Sequence, residues 1–323
     1  MTVRSLLFEA KREEREVELD PDVIRSLGKD RLLWVDVGRA DDGDLERVAE
    51  VLDIPEEVRP RHPRPDGPAL RRHQGWVRLT IVAVQAPPDG SPTGGPVERS
   101  MIDVIAGENV VVTLHDESVD AIDELTEQLR DEPGVGVLDA SALVAALVDE
   151  VLTLYLRQAE VVERRIDVLD EIAIRGRTVS AYLEEVVALR RRVAELRRSL
   201  APHRAAFAPL ARPDFEIAAL GRPWPGIMDR LENTVAAVET ARDLLIGSVE
   251  LHQSSTAQRV NDVMKVLTIV NAVLLPSVVL AGVMGMNFKV PFFEDPGNFF
   301  LVLGGMAALA VGTLIVARLR GWL

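Results

Sequence analysis

The chain has 323 residues, of which 47% are apolar and only 4% aromatic, and its formal net charge is -14. It holds no cysteine, which excludes a disulfide scaffold, thiolate metal sites and cysteine nucleophiles. The negative balance argues against a nucleic-acid binder, which needs a basic face to meet phosphates.

In chain order, residues 1–20 are charged and lack an apolar segment of signal-peptide length, so the N-terminal part is expected in the cytoplasm. Short β-patterned runs follow at 4–8, 32–37, 76–84, 101–105 and 109–114, with a helical pattern at 44–52. Prolines and glycines make 85–97 a loop or hairpin excursion. These elements predict an α+β domain over 1–140, with strand order left open. Residues 119–130 read as a helix. Residues 141–174 and 180–200 carry heptad-like apolar positions and predict an antiparallel helical hairpin, which with a proline-rich linker fills 141–225. Arg190, Arg191, Arg192, Arg197 and Arg198 form a basic stripe expected on a solvated face or in salt bridges between subunits.

A long helix is expected from about residue 227, with no proline before Pro276. Residues 226–265 are its stalk. Residues 266–284 and 299–317 are two uncharged runs of 19 residues each, close to the ~20 residues that cross a bilayer. Arg259 and Lys265 precede the first run, and Arg318 and Arg320 follow the second. Basic flanks belong inside, so both termini are expected in the cytoplasm of a plasma- or inner-membrane protein. Residues 285–298 are then an outer loop and 318–323 a cytoplasmic tail.

Two membrane helices cannot enclose a polar path alone, so a pore needs several copies. Asn261, Met264, Leu267, Asn271, Leu275, Val278 and Gly282 recur at steps of three or four and share one face of the first helix. That spacing equally describes a packing stripe. The helix ends on Gly285-Met286-Asn287, whose glycine and neutral amide offer oxygen dipoles. Such a ring can hold the water shell of Mg²⁺, which dehydrates reluctantly.

The Gly285-Met286-Asn287 triplet, the segment Asn261-Asp262-Val263-Met264-Lys265-Val266-Leu267-Thr268 and their terminal position resemble the CorA family of magnesium channels. The resemblance is detailed over 227–323 and holds in outline before that. It implies a funnel-shaped homopentamer whose first membrane helix lines the pore. Asn287 would bind the hydrated ion, and Met264 with Leu267 would form a hydrophobic gate. Lys265, Arg318 and Arg320 would form a basic collar, or simply anchor the membrane interface. Mg²⁺ is the expected cargo, with Co²⁺ or Ni²⁺ as further substrates, and no organic cofactor is implied. A proton-coupled zinc transporter of the same superfamily is the alternative, and a membrane-anchored sensor or scaffold a distant one.

Departures from the family pattern are visible. Met284 stands where Tyr is usual, Val278 where a pore-lining Thr is usual, and Lys289 and Phe292 alter the outer loop. The family closes when cytoplasmic Mg²⁺ bridges carboxylates between subunits, and the expected stalk acid falls on Gly226. Asp229, one turn later, is the expected substitute, and Asp243 and Glu250, two turns apart on the same helix, are expected to hold weaker sites. The five histidines show no paired ligand spacing, and His115-Asp116-Glu117 at a strand end is the one local grouping with metal-ligand chemistry. No P-loop or dinucleotide fingerprint is present, so the chain is expected to be no enzyme and to run down a gradient.

Overall fold

A computed structural model describes residues 2–9, 15–20, 24, 27–28, 31–38, 42–60, 67–85, 97–131, 139–175, 179–212, 224, 226–286 and 296–320. The chain divides into two compact units, Met1–Val249 and Glu250–Leu323.

The first unit is built on a seven-stranded sheet: β1 (Thr2–Glu9), β2 (Arg15–Glu16), β3 (Arg31–Gly38), β4 (Ala69–His73), β5 (Trp76–Val84), β6 (Arg99–Ala106) and β7 (Val110–His115). The order is β2-β1-β3-β7-β6-β5-β4. Only β3 and β7 pair in parallel; the other neighbours are antiparallel. Strands β7 and β5 are nearly continuous runs of buried residues, most of them apolar, as expected where helices cover both faces. One face carries α1 (Asp42–Val51), whose Val48 and Ala49, with Leu52 just past its end, share an apolar cluster with Leu33, Val35 and Val112. The other face carries α2 (Asp120–Asp131) and α3 (Ala140–Arg175), whose Ile122, Leu147 and Val151 meet Leu79, Ile81 and Val104.

Helix α4 (Val179–Leu200) folds back on α3. Arg165 reaches Glu185 and Arg192 reaches Gln158, so the pairing positions rise on one helix as they fall on the other. This is the expected antiparallel hairpin. The basic stripe does not all face solvent: Arg192 is buried against Gln158, while Arg197 pairs with Glu239 at 2.7 Å. A buried guanidinium needs an acceptor, and the α3 amide provides one.

Three elements escape a reading by periodicity. β2 is two residues long. β4, Ala-Leu-Arg-Arg-His, is a basic edge strand without alternation. It joins β5 through Gln74-Gly75, both at positive φ (44° and 87°), the two-residue turn that suits a hairpin's twist. The short α5 (His203–Phe207) lies inside the proline-rich linker. Gln85 and Val97 flank the expected excursion, and 86–96 lie outside the described residues.

Helix α6 (Gly226–Met284) is one element of 59 residues, and α7 (Pro296–Leu319) follows. Each is long and apolar enough to cross a membrane. α7 begins three residues before its uncharged run, taking over the end of the expected 285–298 connection, with Pro296 at a position where its missing N–H has no helical partner to lose.

Candidate ion path

Helix α6 persists because it has no proline from Ile227 to Leu275, and Gly247 is the one glycine inside it until Gly282. Pro276 then removes one helical N–H within the membrane run, and Ser277 Oγ donates to the Val273 carbonyl at 3.4 Å in the same turn.

Asn261, Met264, Leu267, Asn271, Leu275, Val278 and Gly282 all lie on this one helix in the second unit, and all are exposed on the single chain. Met264 is 54% exposed and Leu275 67%, too much apolar surface to face water unaccompanied. Exposure does not separate this stripe from the rest of the helix, because Val263, Val266, Leu274 and Val279 are exposed too. Among the described residues of this unit only Ile269 and Ala317 are buried. The polar side chains of the helix differ in how they are satisfied. Thr268 returns its hydroxyl to the Met264 carbonyl at 2.7 Å, and Ser277 does likewise further along the helix, so both satisfy themselves on their own backbone. Asn261 and Asn271 each carry two donors and an acceptor, which a single backbone carbonyl cannot satisfy.

The helix closes through Gly285 N–H to Ala281 O at 2.9 Å and Met286 N–H to Val283 O at 3.2 Å. A Cβ at Gly285 would meet the Ala281 carbonyl at 3.4 Å, whereas at Gly282 it would meet nothing within 4 Å. Met286 is exposed. Asn287 lies outside the described residues, as do Lys289 and Phe292.

The basic flank is exposed at Lys265, Arg318 and Arg320. Lys265 Nζ lies 3.7 Å from Asp262 Oδ1, one turn back; the three-residue spacing is the sequence signal for that pair. Asp229 sits exposed in the first turn of α6, where the helix dipole favours a carboxylate. Asp243 is exposed 3.9 Å from Arg242 Nη1, and Glu250 is exposed two turns further on. No group of three metal-ligand side chains occurs among the described residues, so the structure does not bring these acids together into such a cluster. His115 turns inward: its Nε2 lies 3.2 Å from Asp36 Oδ1 and its Nδ1 meets the Glu117 carbonyl. It is not presented as an open metal ligand.

A family model described as CorA-like Mg²⁺ transporter protein matches residues 29–318. The cobalt/magnesium transport protein CorA of Thermotoga maritima is 28% identical over 232 residues, 70% of this chain and 66% of its own length. The divalent cation transporter CmaX of Pseudomonas aeruginosa is 28% identical over 227 residues, 67% of each chain. The complete structure of the CorA magnesium transporter from Methanocaldococcus jannaschii superimposes with a TM-score of 0.69 at 18% identity, covering 100% of both chains.

Proposed function

The chain belongs to the CorA-like Mg²⁺ transporter family, whose members are ion transporters rather than enzymes, and from that premise we propose that it is a homopentameric channel admitting hydrated Mg²⁺ to the cytoplasm. Its N-terminal domain lies in the cytoplasm and its two C-terminal helices cross the inner membrane. The observation that carries the proposal is the α6 stripe: a membrane helix bearing two amides and an open glycine on one face, ending at Gly285. Five copies fit the family, and several copies are required by physics, since two helices leave no enclosed polar route.

Arranged around an axis, the stripe lines the route. A ring of Gly285 carbonyls and Asn287 amides, spaced by Met286, gives neutral oxygens that hydrogen-bond the ion's water shell without stripping it. Met264 and Leu267 narrow the inner end with apolar side chains that close by excluding water. Lys265, Arg318 and Arg320 hold the inner interface. Transport needs no nucleotide: an inside-negative potential favours a divalent ion by about 4.6 kcal/mol per 100 mV. Asp229, Asp243 and Glu250, all exposed on α6, would bind cytoplasmic Mg²⁺ with a neighbouring copy's help.

Proteoliposomes with an inside-negative potential test the reading. Loaded vesicles should take up Mg²⁺ well above empty ones, and Asn287→Ala should lower uptake more than tenfold. Equal uptake in loaded and empty vesicles refutes the channel. A Zn²⁺ flux that collapses without a pH gradient, with no Mg²⁺ flux, would replace Mg²⁺ by proton-coupled zinc transport.

A further inference from the structure

Asn271 sits at the angular and axial centre of the α6 stripe. At about 100° per residue, Met264, Leu267, Leu275 and Val278 all fall within about 40° of it. It lies seven residues from both Met264 and Val278, about 10 Å along the helix each way. It is the polar member of that stretch. Of the polar side chains in the uncharged run, Thr268 and Ser277 donate to their own backbone, whereas the exposed Asn271 amide has no hydrogen-bond partner among the described residues.

An amide at membrane depth is not left facing lipid, because hydrocarbon offers its two donors and its acceptor nothing. Intramembrane polar groups therefore turn toward the interior of a bundle. We infer that Asn271 forms a second hydration ring, midway through the apolar part of the route, that hands the hydrated cation between the Met264–Leu267 constriction and the Leu275–Val278 constriction. The inference rests on the channel reading above and adds a specificity-determining residue to it.

The physical reason is wetting. Without the amide, the face from Met264 to Val278 would be apolar for about 21 Å, long enough to shed its water and exclude a strongly hydrated ion. Asn271 divides it into two short apolar collars with a polar layer between them. A neutral amide suits the task because it hydrogen-bonds the water shell and does not trap the ion, as a carboxylate would. The ring is thus a relay with the same chemistry as the outer one, about 21 Å inward of Gly285.

The chain has no cysteine, so a single introduced thiol reports without background. Asn271→Cys and Val273→Cys, the latter about 200° around the helix, are reconstituted and treated on both faces with a cationic methanethiosulfonate. Modification is read by intact mass and Mg²⁺ uptake by flux. The expected result is near-complete labelling of the thiol at position 271 with at least a fivefold loss of uptake, and little labelling at position 273. In parallel, Asn271→Leu should lower uptake at least tenfold with unchanged subunit cross-linking, and Asn271→Gln should stay within about threefold of wild type. No labelling at position 271, or full flux in Asn271→Leu, overturns the inference. Loss of cross-linked oligomer in Asn271→Leu also overturns it, making the amide a clamp between helices. Absence of wild-type flux despite labelling at position 271 would strike the channel reading while leaving the water-facing position intact.

Discussion

Tyr155 and His203 bracket one residue, Val82, by its two backbone polar groups. The Tyr155 hydroxyl donates to the Val82 carbonyl at 3.0 Å, and the Val82 N–H donates to His203 Nε2 at 3.1 Å. The rings lie edge to face, with centroids 6.2 Å apart. The arrangement follows from strand lengths. β4 pairs with β5 only as far as Thr80, so Val82 has no strand on that side. α3 and α5 supply the missing partners, which ties the sheet edge to the helical layer.

That geometry fixes a pH dependence. His203 Nδ1 faces the Leu200 carbonyl at 3.1 Å and so carries the proton, leaving Nε2 as acceptor. Burial pushes the imidazole down to about 4 from 6.5. A depressed basic group binds protons more readily when unfolded, so its contribution is complete above about pH 6.5 and falls away as pH drops toward 4. The loss amounts to about 3 kcal/mol over the window. Urea unfolding of the detergent-solubilised chain between pH 7.5 and 4 should show it. His203→Ala should flatten this segment and cost about 1–3 kcal/mol at pH 7.5 by orphaning the Val82 N–H. An unchanged pH profile in the variant would refute the assignment.

His115 predicts the opposite slope. Burial alone would lower its pKa, but the hydrogen bond and charge of Asp36, with the Glu117 carbonyl, outweigh burial and raise it above 6.5. Its contribution is complete below about pH 6.5 and is lost as pH rises through the raised folded value. Asp36→Asn should remove that alkaline-side decline and leave the acid-side decline from His203 in place. Imidazole chemical shifts in the titrated chain read both residues separately.

Much of the fold is legible in the amino-acid pattern, and the reasons differ by element. β5 and β7 announce themselves because strands covered on both faces become nearly unbroken apolar runs, and the two uncharged stretches need no context to be membrane-length. β4 is not legible, because an exposed edge strand needs no apolar face and its turn depends on φ at Gln74 and Gly75 rather than on an Asn-Gly signature. The burial of Arg192 escapes the pattern because nothing local shows that Gln158, 34 residues earlier, waits opposite it on the hairpin. The α6 stripe is readable as spacing, but spacing cannot tell a route from a packing seam. The fold adds that Thr268 and Ser277 satisfy their hydroxyls on their own backbone while the exposed Asn271 amide does not, a contrast that no residue pattern displays.

Gly282 offers a clean steric test. A Cβ there meets nothing on its own chain, so Gly282→Leu should fold and assemble normally. In the proposed route the added side chains converge on the axis just below the outer ring. Mg²⁺ uptake should fall at least tenfold, with thermal stability in detergent shifted by less than about 3 °C. Unchanged uptake would move the route off this face. A collapse in stability with no effect on flux per oligomer would instead show the glycine to be a close contact between copies.

In the proposed channel, Asp229 is the first acid to test for feedback by cytoplasmic Mg²⁺. It lies one turn from Gly226, the position where the resemblance leads one to expect an acid, and it is exposed in the first turn of α6, where the helix dipole favours a carboxylate. No group of three metal-ligand side chains occurs among the described residues, so in the proposed oligomer a site at Asp229 would draw on a second copy. A neighbour's carboxylate would repel it when the ion is absent and share the ion when it is present, which makes closure respond to free Mg²⁺. Asp229→Asn should therefore leave uptake at low internal Mg²⁺ within about twofold of wild type and raise the concentration for half-inhibition at least threefold. Stopped-flow uptake into vesicles preloaded across a range of Mg²⁺ reads both quantities. If half-inhibition does not move, Asp229 is a plain helix-terminal carboxylate, and Asp243 and Glu250 become the residues to substitute next.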